Sequence, residues 1–487
     1  MSSRSHRLAA AVLTVGLVSA TIVGFPRASV AGASGDRAAW SADGWDPRVA
    51  DIAAEVERLR GLEFDRPVTV KVLDSEAFDR RYTKEQKPTA RARKEWAESQ
   101  AALTALGLLD EPVDLETIAG GVGAQVLGYY DPERRAIVVR GDTFGSAATR
   151  ATLAHELTHA LQDQEFDLDR MSGREEKAGT GSVTALVEGD ATRIGQRYED
   201  GLSSAEQADI RASNDATVEG APDLPPFLSV SLSARYALGL AMAMTLDAVG
   251  GNRSVDATFR EPPLNDLVVV DPTALVDRTA AKPVRAPKLE PGDQRLGDAT
   301  PMGALLLYFV LASRLPAADA LRVAERWGGD ASVAFTRNGA QCVTSAMVGR
   351  AEGPDAAKQD AATLADGLRR WSAAAGAQAT VTERGDAVRL TSCAPSTPLE
   401  VSEASLNQAF FHLFLRNTLT ANVIEAGQTA PAANCFADAI LALDPVRNGI
   451  ASLQAIDDEP PPGFDIAVQS AIAANADRLR SRCQNAV

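Results

Sequence analysis

"AHELTHALQDQ" occupies residues 154–164 and contains two of the four histidines in this chain of 487 residues. His155 and His159 are four positions apart, and apolar residues recur around them at the spacing of an amphipathic helix. Side chains at positions i and i+4 lie on one face of a helix, with Cβ atoms about 6 Å apart. The segment therefore predicts a helix on which both imidazoles can bind one metal ion.

Glu156 follows the first histidine of the pair, and we expect it to have a different role. One residue along a helix is a rotation of about 100°, so its carboxylate points too far round to bind the same ion comfortably. It can instead reach a metal-bound water, which is the arrangement of a zinc hydrolase with a carboxylate base. The alternative is two partly exposed helix histidines beside a carboxylate, but the scarcity of histidine argues against a chance H-E-x-x-H.

A catalytic zinc ion needs a third protein ligand and one open position for water. The later histidine, His412 in "AFFHLFL", has the setting of a core residue. Glu188, in "ALVEGDA", is the best candidate, because an unpaired carboxylate is costly to bury in an apolar helix and a metal ion removes that cost. Glu199 and the pair Glu175 and Glu176 lie in polar, exposed-looking runs and are weaker candidates. We expect one zinc ion per chain.

Two aspartates are candidates for orienting the metal ligands. Asp190 could accept a hydrogen bond from a ligand imidazole, or it could form a structural ion pair with Arg193. On an ideal helix it faces about 200° away from Glu188. Asp163, near the end of the motif segment, is a rival for the same role.

The flanking sequence predicts an α+β fold. "RPVTVKVL" (66–73) has the two-residue period of a strand, "GYYDPERRAIVV" (128–139) predicts a hairpin, and Ser146 is a candidate N-cap for the motif helix. "FLSVSLSARYALGLAMAMTLDAVGG" (227–251) is long enough to span a membrane, but its charged residues and its terminal Gly-Gly favour a buried core helix. Residues 319–395 alternate helix, two strands, helix and two strands.

These patterns predict a division of the chain into a domain at 40–300 that contains the motif, a mixed α/β domain with a helical lead-in at 301–395, and a helical domain at 396–487. The cysteines all lie in the last third of the chain, and an even number in an exported protein indicates disulfides. Three connectivities are possible, of which we expect pairing of neighbours, Cys342 with Cys393 and Cys435 with Cys483. A four-cysteine zinc site is disfavoured because the chain has no C-x-x-C pair.

Residues 1–31 are expected to be a secretory signal peptide, which predicts a secreted or cell-envelope protein. Arg4, His6 and Arg7 precede an apolar run, and Ser29-Val30-Ala31 is a small-residue cleavage site. The alternative is an uncleaved N-terminal membrane anchor, since the run is about long enough to span. A net charge of −16 argues against a nucleic-acid partner and against an anionic membrane surface.

The motif and its surroundings resemble a known group of enzymes. "HELTHALQDQ", followed by a glutamate on a later helix in "ALVEGDA", is similar to the gluzincin zinc metallopeptidases. More narrowly, "GYYDPERRAIVV", "YALGLAMAMTLDAVGG", "EPP" and "ERWGGDASVAF" resemble bacterial exported neutral zinc metallopeptidases over residues 45–390. The chain departs from them after Pro262-Pro263, where that family has a Ser/Thr-Glu pattern and this sequence has Leu264-Asn265-Asp266.

The resemblance implies a zincin-like metallopeptidase domain at 40–300 and a secreted zinc endopeptidase with Glu156 as general base. Gluzincins use a further His or Tyr to stabilise the oxyanion, which makes Tyr236 the expected catalytic residue, with Tyr130 and Arg235 as alternatives. For at least one of Tyr129 and Tyr130, ordinary strand packing is the favoured role.

The expected partner is a protein or peptide substrate, which in zincins pairs with an edge strand beside the active helix. The strand at 136–140 is the candidate for that edge. Two other functions stay open: a catalytically inactive binding or structural protein of the cell envelope that kept the fold, and a zinc hydrolase of cell-wall peptides.

Overall fold

The computed structural model describes residues 44–85, 87–119, 126–141, 145–219, 224–375, 378–394, 402–454 and 461–483. The predicted signal peptide and its cleavage site lie outside these residues. The described chain has a mixed α+β fold, as expected. Its main helices are α1 (Ala50–Arg60), α2 (Ser75–Glu85), α3 (Ala90–Ala105), α4 (Ala147–Phe166), α5 (Leu168–Ala178), α6 (Ser182–Asp200), α7 (Ser204–Glu219), α8 (Pro226–Gly250), α9 (Asn252–Arg260), α10 (Leu267–Val270), α11 (Thr273–Val276), α12 (Gly303–Ala312), α13 (Ala317–Ala324), α14 (Pro354–Ala375), α15 (Glu403–Glu425), α16 (Ala430–Leu441), α17 (Asp444–Ser452), α18 (Phe464–Ala474) and α19 (Ala476–Cys483).

The strands form two separate sheets. They are β1 (Thr69–Leu73), β2 (Gly128–Asp131), β3 (Ala136–Arg140), β4 (Gln294–Arg295), β5 (Trp327–Arg337), β6 (Ala340–Gly349), β7 (Gln378–Arg384) and β8 (Ala387–Cys393). The first sheet has the order β1-β3-β2 and the second the order β4-β5-β6-β8-β7. The strand pairs β5–β6 and β7–β8 confirm the mixed unit that the sequence predicted.

The small sheet supports the motif helix. Strands β2 and β3 form the predicted antiparallel hairpin, and β1 pairs in parallel with the other side of β3. The expectation that 136–140 is an edge strand is therefore wrong, because β3 lies in the middle of the sheet. That parallel partner is contributed by residues more than sixty positions earlier, and no local pattern encodes such a pairing. Among the described strands, β1 and β2 are the edges.

The motif lies on α4, which begins where the sequence predicted. The side chain of Ser146 accepts a hydrogen bond from the backbone N–H of Thr149 and caps the helix. One face of α4 packs on β2 and β3, and the other packs on α6. Because this helix is covered on both sides, most of its length is buried, including both motif histidines.

Helix α8 lies in the core, between α6 and α15. It is long and apolar enough to cross a membrane, but 61% of its most apolar window is buried inside the protein. The sequence-based preference for a core helix agrees with this packing. Its contact with α6 is unusually close at one point, since a Cβ added to Gly239 would lie 2.1 Å from the carbonyl oxygen of Ala185.

The three predicted parts of the chain share one hydrophobic core. The largest apolar cluster runs from Ala92 to Leu453 and crosses the predicted boundaries at 300 and 395. Arg416 on α15, which is 1% exposed, joins the same parts by its ion pairs with Asp271, Glu325 and Asp438. The C-terminal helices thus complete the packing around α8, and the division into domains stays a prediction.

Both predicted disulfides are present. Cys342 on β6 is bonded to Cys393 on β8, directly opposite it in the sheet, and Cys435 on α16 is bonded to Cys483 at the end of α19. Disulfides persist in oxidising compartments, so they indicate an extracellular environment.

Candidate metal centre

Three side chains from α4 and α6 converge in the interior. The Nε2 atoms of His155 and His159 are 3.0 Å apart, and they lie 3.4 Å and 3.3 Å from Oε2 of Glu188. All three candidate ligand atoms fall within 4.8 Å of one another. The structure therefore brings together the three residues that the sequence predicted as ligands, and we call this group the metal centre.

Burial makes this arrangement costly without a bound cation. Glu188 is 1% exposed, and neither of its carboxylate oxygens accepts a hydrogen bond from the described residues. A buried carboxylate without such partners loses several kcal/mol of solvation. A metal ion held between two imidazole nitrogens and this carboxylate would compensate that loss, so the residues fit a metal site.

The electrostatics of the centre also favour a cation. Burial alone would lower the pKa of His159, but Glu188 and, to a smaller extent, Glu156 raise it to about 9. Burial would raise the pKa of Glu188, while the two imidazoles hold it at about 2. The carboxylates thus favour positive charge in this buried space, and a metal ion can supply that charge in place of protons.

Glu156 is fully buried beside the ligands and faces the small sheet. A Cβ at Gly128 would lie 3.6 Å from Cγ of Glu156 and 2.8 Å from Cγ2 of Thr152. Glycine at the start of β2 therefore allows the strand to approach the motif helix closely. As a result, Glu156 lies between the metal ligands and an edge strand.

A hydrogen-bonded chain that the sequence analysis missed lies behind His159. Its Nδ1 is 3.0 Å from Oε1 of Gln162, and Nε2 of Gln162 donates to Oδ2 of Asp190 at 3.0 Å. Asp190 forms the predicted ion pair with Arg193, at 2.7 Å, and a second one with Arg60, also at 2.7 Å. It therefore supports a ligand only through Gln162, and does not accept directly from an imidazole.

The other proposed orienting residue has a different partner. Asp163 accepts hydrogen bonds from the Tyr130 hydroxyl at 2.8 Å and from the backbone N–H of Leu168 at 3.1 Å. The Tyr129 hydroxyl donates to Glu85 at 2.5 Å. Both strand tyrosines are thus engaged in packing and local hydrogen bonds, which argues against Tyr130 as an oxyanion donor and confirms the packing role.

Tyr236, in contrast, lies beside the centre on α8. Burial raises its pKa well above the ordinary value, and the nearby carboxylates of Glu188 and Glu156 add to this shift. The phenol is therefore neutral at physiological pH and can donate a proton in a hydrogen bond. Its hydroxyl makes no hydrogen bond with the part of the chain that the structure describes, and Arg235 next to it makes no ion pair there.

The weaker ligand candidates are not at the centre. Glu175 is buried, contrary to the exposure expected from its polar run, because it caps α6 by accepting from the backbone N–H groups of Val183 and Thr184. Glu176 is exposed and pairs with an arginine of α3. Glu199 lies near the far end of α6. His412 is half-buried on α15, and burial lowers its pKa to about 4.

No protein-family model, curated protein or solved structure matches this chain. The functional assignment therefore depends on the geometry of the metal centre. This geometry offers three protein ligands, an adjacent carboxylate and a neutral phenol in one buried site.

Proposed function

We propose that this protein is an exported zinc metallopeptidase of the gluzincin type, which hydrolyses peptide bonds. The observation that carries the proposal is the convergence of His155, His159 and Glu188 with Glu156 beside them. Zinc commonly takes two imidazoles and one glutamate in hydrolases, and three protein ligands leave the fourth position open. A structural zinc site, in contrast, is closed by four protein ligands.

Each residue then has a defined task. When bound, zinc lowers the pKa of water towards about 7 and polarises the carbonyl of the scissile bond. Glu156 accepts the proton of the attacking water and passes it to the leaving amine. The position of Glu156 supports this role, because its carboxylate is buried directly beside the ligands and is not one of them.

Tyr236 is the proposed donor to the oxyanion. Its neutral hydroxyl is close enough to Glu188 and Glu156 for their charges to raise its pKa, and it has no competing partner among the described residues. A donor that is already in position in a buried site stabilises developing negative charge at little reorganisation cost. Tyr130 lacks this freedom because Asp163 holds its hydroxyl.

The zincin-like fold is part of the same proposal. A helix that bears two candidate ligands and packs on a small sheet, and a second helix that supplies the glutamate, support this assignment. An extended substrate would pair with β2, since this edge strand contacts Glu156 through Gly128. This replaces the earlier candidate at 136–140, which is the central strand.

One observation favours the alternative of an inactive, structural metal protein. All three ligands and Glu156 are at most 5% exposed, so a polypeptide reaches them only if neighbouring elements separate. A hydrolase of cell-wall peptides uses the same centre and differs in substrate alone.

The experiment compares the mature protein with Glu156→Gln, measuring zinc content and hydrolysis of a mixed peptide library together with cell-wall peptides. Glu156→Gln keeps the size and removes the base, so it should retain zinc and lose at least about 10²–10⁴-fold in rate. Glu165→Gln, an exposed residue of the same helix, is the matched control and should match the wild type. Zinc without hydrolysis in any form would support the structural alternative, and comparable rates in all forms would show that Glu156 is not the base.

A further inference from the structure

We propose that Gln162 is a positioning residue for the metal centre, which fixes the proton of His159 on Nδ1 and so directs the Nε2 lone pair at the metal. The inference rests on the proposed function only in assuming that the centre binds zinc. The hydrogen-bond partners of Gln162 and Asp190 support it, and neither residue takes part in the proposed peptidase mechanism.

The orientation of the Gln162 amide follows from its partners. Nε2 of Gln162 lies 3.1 Å from the backbone carbonyl of Val187 and 3.0 Å from Oδ2 of Asp190. A carbonyl and an ionised carboxylate can only accept hydrogen bonds, so the amide NH₂ must face them. The amide oxygen then faces Nδ1 of His159 at 3.0 Å and can only accept. Nδ1 therefore carries hydrogen, and Nε2 is left as the metal ligand.

Asp190 is held as an ionised acceptor by two buried arginines. Its Oδ2 accepts from Nε of Arg60 at 2.7 Å, and its Oδ1 accepts from Arg193 at 2.7 Å and 3.2 Å. Asp190 and Arg60 are fully buried and Arg193 is 4% exposed. Protonating Asp190 would remove negative charge that compensates the buried guanidinium groups of Arg60 and Arg193, so the carboxylate stays ionised. It therefore accepts from the Gln162 amide and does not donate to it, and the amide keeps its orientation.

The network also connects the ligand to distant parts of the chain. Arg60, the last residue of α1, also forms an ion pair with Asp256 on α9 at 2.6 Å. Arg193 forms a second ion pair, with Asp247 on α8 at 2.9 Å. The ring of His159 is thereby connected, through Gln162 and Asp190, to side chains on several helices. Groups that fix a ligand histidine in this way commonly contribute 10–100-fold to metal affinity.

The test compares Gln162→Met with Gln164→Met. Methionine keeps the volume of glutamine and removes its hydrogen bonds. Gln164 lies on the same helix, but its amide bonds the backbone of Arg66, away from the centre. We expect Gln162→Met to weaken zinc binding by roughly 10–100-fold in a chelator competition, and to change the visible spectrum of the cobalt-substituted protein. The Gln164→Met variant should match the wild type in both.

Asp190→Asn tests the second step, with Asp256→Asn as its control because Asp256 shares Arg60 but does not touch Gln162. Asp190→Asn should weaken zinc binding in the wild type but add little to Gln162→Met, since both act through one amide. If Asp190→Asn does not fold, the comparison at Gln162 decides alone.

The outcomes separate this inference from the proposed function. Equal zinc affinity and equal cobalt spectra in wild type and Gln162→Met overturn the positioning role, whatever the peptidase activity. If the wild type binds zinc but hydrolyses no peptide, and Gln162→Met binds zinc more weakly, the positioning role is supported and the peptidase function is refuted. A wild type that binds no zinc overturns both.

Discussion

Two buried clusters of charged side chains in this protein satisfy their charges in opposite ways. In the Arg416 cluster (Arg416, Asp271, Glu325 and Asp438), one guanidinium lies 2.5–3.4 Å from three carboxylates. Asp271 accepts further hydrogen bonds, from Thr273 at 2.6 Å among others. At the metal centre, the oxygens of Glu188 accept none from the described residues.

The difference separates a structural cluster from a ligand site. Burial would raise the pKa of Asp271, but Arg416 and the neighbouring hydroxyl and amide donors hold it below its ordinary value. Asp271 is thus compensated within the chain, whereas burial raises the pKa of Glu325 to about 7 despite its pairing with Arg416. At the metal centre the oxygens of Glu188 accept no hydrogen bond from the described residues, so a bound cation would compensate its burial.

The largest effect is expected from Arg416→Met. This change keeps much of the volume but removes the arginine of Glu325 and one of the two arginines that pair with Asp271. Breaking a buried pair in this way costs about 3–5 kcal/mol. Urea unfolding should detect the loss. Arg447→Met, which removes an exposed ion pair with Asp444, should change the free energy of unfolding by less than about 1 kcal/mol. Similar values for both variants would contradict the structural role of the Arg416 cluster.

The complementary test is Glu188→Ala, whose effect should depend on metal. Zinc at about a thousand times its dissociation constant should stabilise the wild type by about 4 kcal/mol and bind once per chain. Glu188→Ala should lose most of that stabilisation, because the cation loses its only carboxylate ligand. Thermal melts with zinc and with chelator measure it, and Glu199→Ala on the same helix is the control. An unchanged zinc response in Glu188→Ala would remove Glu188 from the ligand set.

A smaller effect is expected where α6 and α8 touch. A Cβ at Gly239 would lie 2.1 Å from the backbone oxygen of Ala185, so Gly239→Ala must separate the two helices, at a cost of about 1–3 kcal/mol. Gly173→Ala on α5 is the control, since its added Cβ meets nothing within 4 Å and should stabilise the helix by about 0.5–1 kcal/mol. A Gly239→Ala variant that is as stable as the wild type in thermal unfolding would contradict the close contact.

The sequence was sufficient for features with a strong local pattern. Helical spacing located the motif histidines, an apolar setting singled out Glu188, and strand periods located the hairpin and the mixed unit. The cysteine pairing followed from neighbour order. Each of these features depends on residues close together in the chain, or on a chemical demand that few residue types can meet.

Features that depend on long-range contacts could not be predicted in this way. The parallel pairing of β1 with β3 decided which strand is an edge, and no local period reports it. Gln162 is an ordinary polar residue on a helix, three positions after His159, and only its partners on α6 reveal its role. Glu175 sat in a polar run, yet the free N–H groups at the start of α6 draw it into the interior.

Asp266, a half-buried carboxyl without an ion pair among the described residues, holds its proton to higher pH than an ordinary aspartate. It accepts a hydrogen bond from the backbone N–H of Gly181 at 3.0 Å, just before α6. Burial raises its pKa from 3.8 to about 6, the nearby carboxylates of Glu175 and Asp330 add to this, and the Gly181 N–H opposes it. Within the described part of the chain, Asp266 thus has neither an ion pair, as Asp271 has, nor a place among the candidate metal ligands, as Glu188 has.

The smallest expected effect is the pH dependence that this group gives to stability. Below about pH 3.8 the carboxyl is protonated in both the folded and the unfolded chain, so it contributes nothing. Between about pH 4 and 6 the unfolded chain releases the proton while the folded chain retains it, so stability falls as pH rises, and above about pH 6 the loss is complete. Full burial would make this loss of stability about 3 kcal/mol, but Asp266 is partly exposed and screening reduces it to about 1 kcal/mol.

Asp266→Asn keeps an acceptor for Gly181 and removes the titration. Its free energy of unfolding relative to wild type should therefore rise by about 1 kcal/mol between pH 4 and 6 and then level off. Asp277→Asn, at an exposed position, should give a flat difference, and a flat difference for Asp266→Asn as well would show that this carboxyl is ionised in the folded protein like any surface aspartate.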